Sequence, residues 1–172
     1  MNPMRDIRVE KVTANMGVGE GGEKLQNRSG LLGKISGRKA VNTIARVRNP
    51  VFKIQQGDPI GTKVTMRGKT GEEFLKKALE AVDKKISSRA FDKEGNFSFG
   101  VKEYIDFPGV KYDPKIGIVG FDVCVTLKRR GSRVTRRRRG QHAIGRRHRV
   151  TKDDGMTFAK EVLGVEMCEL VE

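Results

Sequence analysis

The chain has 172 residues, 36% of them hydrophobic and 33% charged, with a formal net charge of +15 and a pI near 10.2. That length is enough for one domain with an appended arm, and so high a charged fraction leaves the core modest. No apolar run approaches the ~18 residues of a membrane span, MNPMRDIRVE has no signal-peptide core, and Cys124 and Cys168 are too isolated for a disulfide or zinc framework. These features lead us to expect a soluble, reduced, intracellular protein with a polyanionic partner and no membrane, metal or cofactor.

Residues 7–16 alternate as a half-buried strand, with Ile7 and Val9 in one phase and Val12, Ala14 and Met16 in the next. The slip at Glu10-Lys11 predicts a bulge. Residues 23–36 predict a helix with Leu25, Leu32 and Ile35 on one side, weakened by Gly30 and Gly33. Residues 39–47 and 50–56 predict strand pieces, a turn follows at Gly57-Asp58-Pro59, and 61–68 predicts a strand with Val64 and Met66 inward. The clearest helix is 71–86, where Thr70 and Glu73 spell a capping box. Phe74, Leu75, Ala78, Leu79, Val82 and Ile86 give it an apolar stripe suited to core packing. Residues 97–105 and 117–129 predict two further strands joined by a Pro/Gly-rich connection. In the second, Phe121, Val123, Val125 and Leu127 face the core, while Asp122, Cys124, Thr126 and Lys128 share the other side. A last helix is expected over 153–163, with Thr151 as cap and Asp153 and Asp154 at its positive end. The pattern predicts an α+β fold, a mainly antiparallel sheet packed against two or three helices, with a basic extended arm.

The charge is unevenly spread. Residues 128–149 hold 11 Lys/Arg and no acid, the stretch after Val150 holds 2 basic and 6 acidic residues, and residues 1–127 hold 23 basic and 15 acidic. We therefore divide the chain into a binding domain (1–127), an Arg-rich arm (128–150) and a C-terminal helix with an acidic tail packed on the domain (151–172). The arm carries Arg129, Arg130, Arg133, Arg136, Arg137, Arg138, Arg139, Arg146, Arg147 and Arg149, punctuated by Gly131, Gly140 and Gly145. Unpaired guanidinium groups resist burial, so the arm is expected to be extended and mobile before docking. Arginine forks grip phosphate oxygens in bidentate fashion, and nucleic acid is the simplest polyphosphate to propose.

Gly17, Gly19 and Gly22 spell G-x-G-x-x-G, the fingerprint of a dinucleotide-binding turn. Its context does not fit. The preceding strand carries Arg8, Glu10, Lys11, Thr13 and Asn15, so one face is polar where a nucleotide fold buries both. No Asp or Glu occurs between Glu23 and Asp58, where an acid to hold the ribose is required. Gly68-Lys69-Thr70 resembles the end of a P-loop, but Lys63 stands where that loop needs glycine. His142 and His148 lie in the arm and Cys124 alternates within a strand, so no catalytic residue is assigned and the chain is not expected to be an enzyme. The outward positions Thr13, Asn15, Lys63, Thr65, Arg67, Asp122, Thr126 and Lys128 suit sugar hydroxyls and phosphates of structured RNA, or a plain solvated face. With 8 Phe, 2 Tyr and no Trp, base stacking is secondary. A nucleotide-dependent enzyme and a basic RNA- or DNA-binding protein governed by charge alone are the other classes to weigh.

The blocks NMGVGE (15–20), FKIQQGDPIGTKVTMRG (52–68), EFLKKAL (73–79) and FSFGVKEYIDFPGVKYD…GFDV (97–123) resemble, in order, the large-subunit ribosomal protein family that binds 5S ribosomal RNA, universal family five. The arm and the helix after it resemble that family's archaeal branch. The resemblance implies a structural protein of the central protuberance, cytoplasmic and ribosomal. It implies contacts with 5S rRNA, large-subunit rRNA, the P-site tRNA and a small-subunit head protein across an intersubunit bridge, and no small-molecule substrate. Carried over by position, the 5S rRNA contacts fall on Asn15, Gly17, Arg38, Thr65, Arg67 and Asp122, with Arg38 standing where the family commonly has Gln. The tRNA-proximal loop falls on Phe52, Lys53, Gln55, Gln56, Gly57 and Asp58.

Overall fold

A computed structural model describes residues 2–168. Its main sheet has the strand order β2-β3-β1-β6-β5, formed by Val41–Ile44 (β2), Pro59–Met66 (β3), Ile7–Gly17 (β1), Phe121–Arg129 (β6) and Phe97–Val101 (β5). Every pairing in it is antiparallel. Three helices accompany it among the described residues: α1 (Glu23–Ser36), α2 (Lys69–Glu80) and α3 (Lys152–Leu163). This is the α+β architecture that the alternation predicts.

The period of two decides which face is buried. Val12 and Ala14 of β1 stand opposite Met66 and Val64 of β3 on one side and opposite Val125 and Val123 of β6 on the other. All six are buried, and onto them α1 lays Leu31 and Leu32 and α2 lays Phe74, Leu75, Ala78 and Leu79. Each large apolar side chain among them contributes about 1.5–3 kcal/mol by leaving water. Phe74, Phe107 and Phe121 close one end of the core, with Phe107 5.3 Å from Phe74 and 6.1 Å from Phe121 between ring centroids. Tyr104 is fully buried, and its hydroxyl accepts from the Asp113 backbone N–H at 2.8 Å, tying the long β5–β6 connection to the core.

The bulge in β1 lies where the phase slip predicts, the register shifting between Val9 and Lys11. Elsewhere boundaries move. Helix α2 starts at Lys69, with Gly68 (φ 63°) as its N-cap and no side-chain cap, so the Thr70/Glu73 capping box does not form. It ends at Glu80, since Asp83 and Lys84 both take left-handed φ and reverse the chain. Ile86, on the expected stripe, enters a separate strand, β4 (Lys85–Ser87), which pairs in parallel with β7 (Glu166–Cys168), a second small sheet that periodicity does not reveal. The strand expected over 50–56 is a hairpin turn held by an Asn49–Ile54 bridge. The strand expected over 97–105 stops at Val101, where the chain coils to bury Tyr104. Helix α3 carries a complete capping box, Thr151 with Asp154. It adds Ala159 to the core. Glu169 and Glu172 of the acidic tail lie outside the described residues.

Residues 130–150 fold back rather than running free. They form single turns of 3-10 helix at Ser132–Thr135 and Arg146–His148. His148 Nε2 pairs with the Arg130 carbonyl at 2.8 Å, and the His142 N–H donates to the Val134 carbonyl at 3.3 Å. The charge pattern misses this return because its anchor, Glu10, lies 126 positions before its partner Arg136.

Candidate nucleic-acid interface

The face of the sheet away from α1 and α2 is polar and arranged in rows. Lys63, Asn15, Asp122 and Gly100 stand side by side across β3, β1, β6 and β5. One row along, Thr65, Thr13, Cys124 and Ser98 do the same. Lys63 and Thr65 on β3, Asp122 on β6 and Ser98 on β5 are exposed, while Thr13 and Asn15 on the central strand are half-buried. Neighbouring strands lie ~4.8 Å apart, so these rows offer hydroxyls, an amide and charges on a fixed grid. Three predicted contact residues, Asn15, Thr65 and Asp122, therefore share one surface.

Arg67 joins this surface at its edge through Glu10. The bulge leaves Glu10 without a cross-strand partner and buries its side chain to 4% exposure. Its Oε1 lies 3.6 Å from Arg67 Nη1 and 3.7 Å from Lys128 Nζ, and it accepts a hydrogen bond from Arg136 Nη1. Burial pushes the Glu10 carboxyl up, but the Arg136 hydrogen bond and the charges of Lys128, Arg136 and Arg67 outweigh it, and the group is held below the usual glutamate range. One buried carboxylate thus gathers cations from β6, the end of β3 and the arm. Sequence reasoning marks the bulge but misses this role; the signal is an acid at the phase slip of a strand otherwise alternating cleanly.

The remaining predicted residues are dispersed. Gly17 ends β1 opposite Gly61, and its carbonyl accepts from Arg28 Nη1 at 2.8 Å. Arg38 lies beyond the C-cap Gly37 of α1 and reaches toward Thr70 Oγ1 of α2 at 3.5 Å, in the helix layer rather than on the grid. The opening glycine motif forms the β1–α1 turn, with Gly19 and Gly22 at positive φ. The Val18 and Gly19 amides both donate to the Ile60 carbonyl at 2.9 Å, so these amides are spent on the neighbouring strand. The predicted tRNA-proximal loop is the β2–β3 hairpin. Its base is fixed by Ala45 N–H to the Asp58 carbonyl (2.8 Å) and Gly57 N–H to the Ala45 carbonyl (2.9 Å), and Asp58 Oδ2 accepts from Gln55 N–H at 2.7 Å. Val51 and Phe52 at its tip are 83% and 70% exposed, beside exposed Lys53 and Gln56.

Within the arm, Arg130 is half-buried, while Arg133, Arg136, Arg137, Arg138, Arg139, Arg146, Arg147 and Arg149 are exposed. Arg129 differs: it is largely buried, donating to Asp154 Oδ2 at 2.7 Å and to the Arg147 carbonyl at 3.3 Å. Cys124 sits on the polar face, and its thiol is pushed up by desolvation and then by the Asp122 carboxylate, which keeps it protonated. Among the described residues no group of three or more His, Cys, Asp and Glu is placed to hold a metal. No helix there is long and apolar enough to cross a membrane.

Residues 2–55 match the family described as Ribosomal protein L5, and residues 59–158 match the model of that ribosomal family's C-terminus. A protein of Sulfurisphaera tokodaii named large ribosomal subunit protein uL5 is 51% identical, over 98% of this chain and 96% of its own. The chain belongs to the uL5 family of large-subunit ribosomal proteins. Relatives of the same name from Methanoregula boonei and Methanospirillum hungatei are each 46% identical, over 95% and 97% of this chain and 99% of theirs. These sources agree with the archaeal resemblance. A uL5-family member is a structural component of the ribosome in the cytoplasm rather than an enzyme, which removes the dinucleotide reading on grounds independent of geometry. Both matched spans of this uL5-family chain feed the grid: Asn15 comes from the first, and Thr65, Arg67 and Asp122 from the second.

Proposed function

We propose that this large-subunit protein binds 5S rRNA on the polar face of its sheet and helps attach it in the central protuberance. The observation that supports this most is the grid itself: Asn15, Thr65 and Asp122, drawn from three strands far apart in sequence, lie on one surface with Arg67 at its rim. A grid of short polar side chains suits the sugar edge and backbone of folded RNA. Asp122 serves sugar hydroxyls or neighbouring side chains, since a carboxylate repels phosphate. The exposed arginines from Arg137 to Arg149 reach large-subunit rRNA. The β2–β3 hairpin, with Phe52 and Lys53 at its tip, lies near the P-site tRNA, and the protein touches a small-subunit head protein across an intersubunit bridge.

The test is a titration of 5S rRNA against a scrambled RNA of equal length and against duplex DNA. Thr65→Ala combined with Arg67→Ala is expected to weaken 5S rRNA binding about tenfold or more, the scale of one or two lost charge-assisted contacts, with a much smaller loss on duplex DNA. Equal losses on all three ligands indicate a binder governed by charge alone and overturn the assignment to the sheet face.

A further inference from the structure

Where the β1–β6 ladder ends, beside the Glu10 cluster, lies a cleft of about 430 Å³ bordered by Arg8, Lys128, Arg129, Arg130, Arg133 and Arg136, with Gly131 and Ser132 completing it. No acidic residue borders it. We propose that this cleft is a receptor for the phosphodiester backbone of bound RNA, taking one or two adjacent phosphates, and that Glu10 is its positioning residue.

Arg8 and Lys128 stand directly opposite each other across β1 and β6. Like charges in that arrangement oppose strand pairing unless an anion lies between them. Arg8, Arg130 and Arg133 have no carboxylate within 4.0 Å among the described residues. The Nε atoms of Arg129 and Arg130 are buried without a hydrogen-bond partner. A buried donor with no acceptor is rare, and here two fall on adjacent arginines of one cleft. Phosphate supplies oxygens in the fork geometry that guanidinium groups match.

Glu10 organises the wall from behind. It does not border this cleft, yet its carboxylate holds Lys128 and Arg136, which do. It offsets one of their charges and draws the arm onto the sheet while leaving the cleft itself wholly cationic. The single 3-10 turn Ser132–Thr135 then sets Arg133 and Arg136 on the same wall. The site rests on the RNA-binding reading above, but because it grips backbone it is blind to sequence.

Glu10→Gln decides between an organised site and bulk charge, because the two demand opposite signs. The variant raises the net charge by one. If charge alone drives binding, it binds RNA more tightly with an equal or steeper salt dependence. If Glu10 positions the cleft, it binds about three- to tenfold more weakly, and the slope of log affinity against log salt falls by about one phosphate contact, 0.7–0.9. The full chain is titrated with 5S rRNA and with polyuridylate across a salt series. Glu10→Asp, which keeps the carboxylate, is expected to restore most of the slope, and Arg8→Gln and Arg133→Gln to lower it on both RNAs. Tighter binding by Glu10→Gln, or an unchanged slope in Arg8→Gln and Arg133→Gln, overturns the proposal. Should Glu10→Gln fail to fold, the two arginine variants decide it alone. Polyuridylate separates this outcome from the 5S reading: loss of 5S preference in the unaltered protein defeats that reading and leaves the polyuridylate slopes to judge the cleft.

Discussion

Arg129 at the end of β6 and Asp154 in the first turn of α3 are joined at 2.7 Å, and the same Asp154 oxygen accepts the Thr151 N–H that caps the helix. One carboxylate therefore closes the N-terminus of α3 and moors it to the sheet. Arg129→Ala leaves Asp154 partly buried without its cation and is expected to destabilise the fold by about 2–3 kcal/mol. The midpoint of urea denaturation reads this directly. Since Arg129 is already engaged, the variant should alter the salt slope of RNA binding less than loss of Arg130 or Arg133 does; an unchanged urea midpoint would sink the mooring role.

Gly155 of α3 presses on the turn before β5 so closely that a Cβ there lies 2.4 Å from the Gly95 carbonyl oxygen and 2.8 Å from its Cα. Both obstacles are backbone, so neither swings aside. Gly155→Ala gains helix propensity but is expected to lose about 1–3 kcal/mol to the overlap, a net destabilisation. Hydrogen exchange should show α3 amides losing protection ahead of β1 amides. A variant as stable as the parent would show that the two backbones are not in contact.

The Glu10 carboxyl is held below its ordinary value in the folded chain, so the folded state binds its proton less readily than the unfolded state does. Its contribution is therefore complete above the ordinary glutamate pKa, about 4.3, and is lost as pH falls through the lower folded value. Urea titrations at neutral pH and at pH about 3 should show Glu10→Gln well below the parent in the first and closer to it in the second. A stability gap that stays constant across the range would mean that the carboxylate does not bind its three cations.

Cys124, protonated and set between Thr13 and Ser98, should alkylate more slowly at neutral pH than a free cysteine. If 5S rRNA covers the grid, adding it slows the reaction further, which mass spectrometry of the intact chain measures. Unchanged alkylation in saturating 5S rRNA would show that the RNA lies elsewhere.

How much of the fold is legible in the sequence depends on whether the deciding contact is local. The alternation of Phe121 to Leu127 and of Val12 to Met16 assigns both faces of the sheet correctly, because a strand's pattern of two is written in consecutive residues. Thr151 and Asp154 announce the start of α3 for the same reason. The end of α2 is not legible: Asp83 and Lys84 are ordinary helix-tolerant residues that take left-handed φ because the chain must turn into β4 and meet the distant β7. The return of the arm also depends on a distant partner, Glu10 with Arg136. Of the candidate site, the strand-borne members Asn15, Thr65 and Asp122 follow from alternation, whereas Arg38 is placed by resemblance and lies in the helix layer.

The bulge has one more consequence. Val9 faces Leu127 and Lys11 faces Thr126, two consecutive residues of β6, so β6 runs past Glu10 without missing a step. Excising Glu10 would let the two halves of β1 close into an unbroken ladder, with every core side chain still pointing inward. As far as the sheet is concerned, then, Glu10 is a supernumerary residue. A chain that keeps an extra acid in its central strand, at the expense of a regular ladder, keeps it for the arginines it commands.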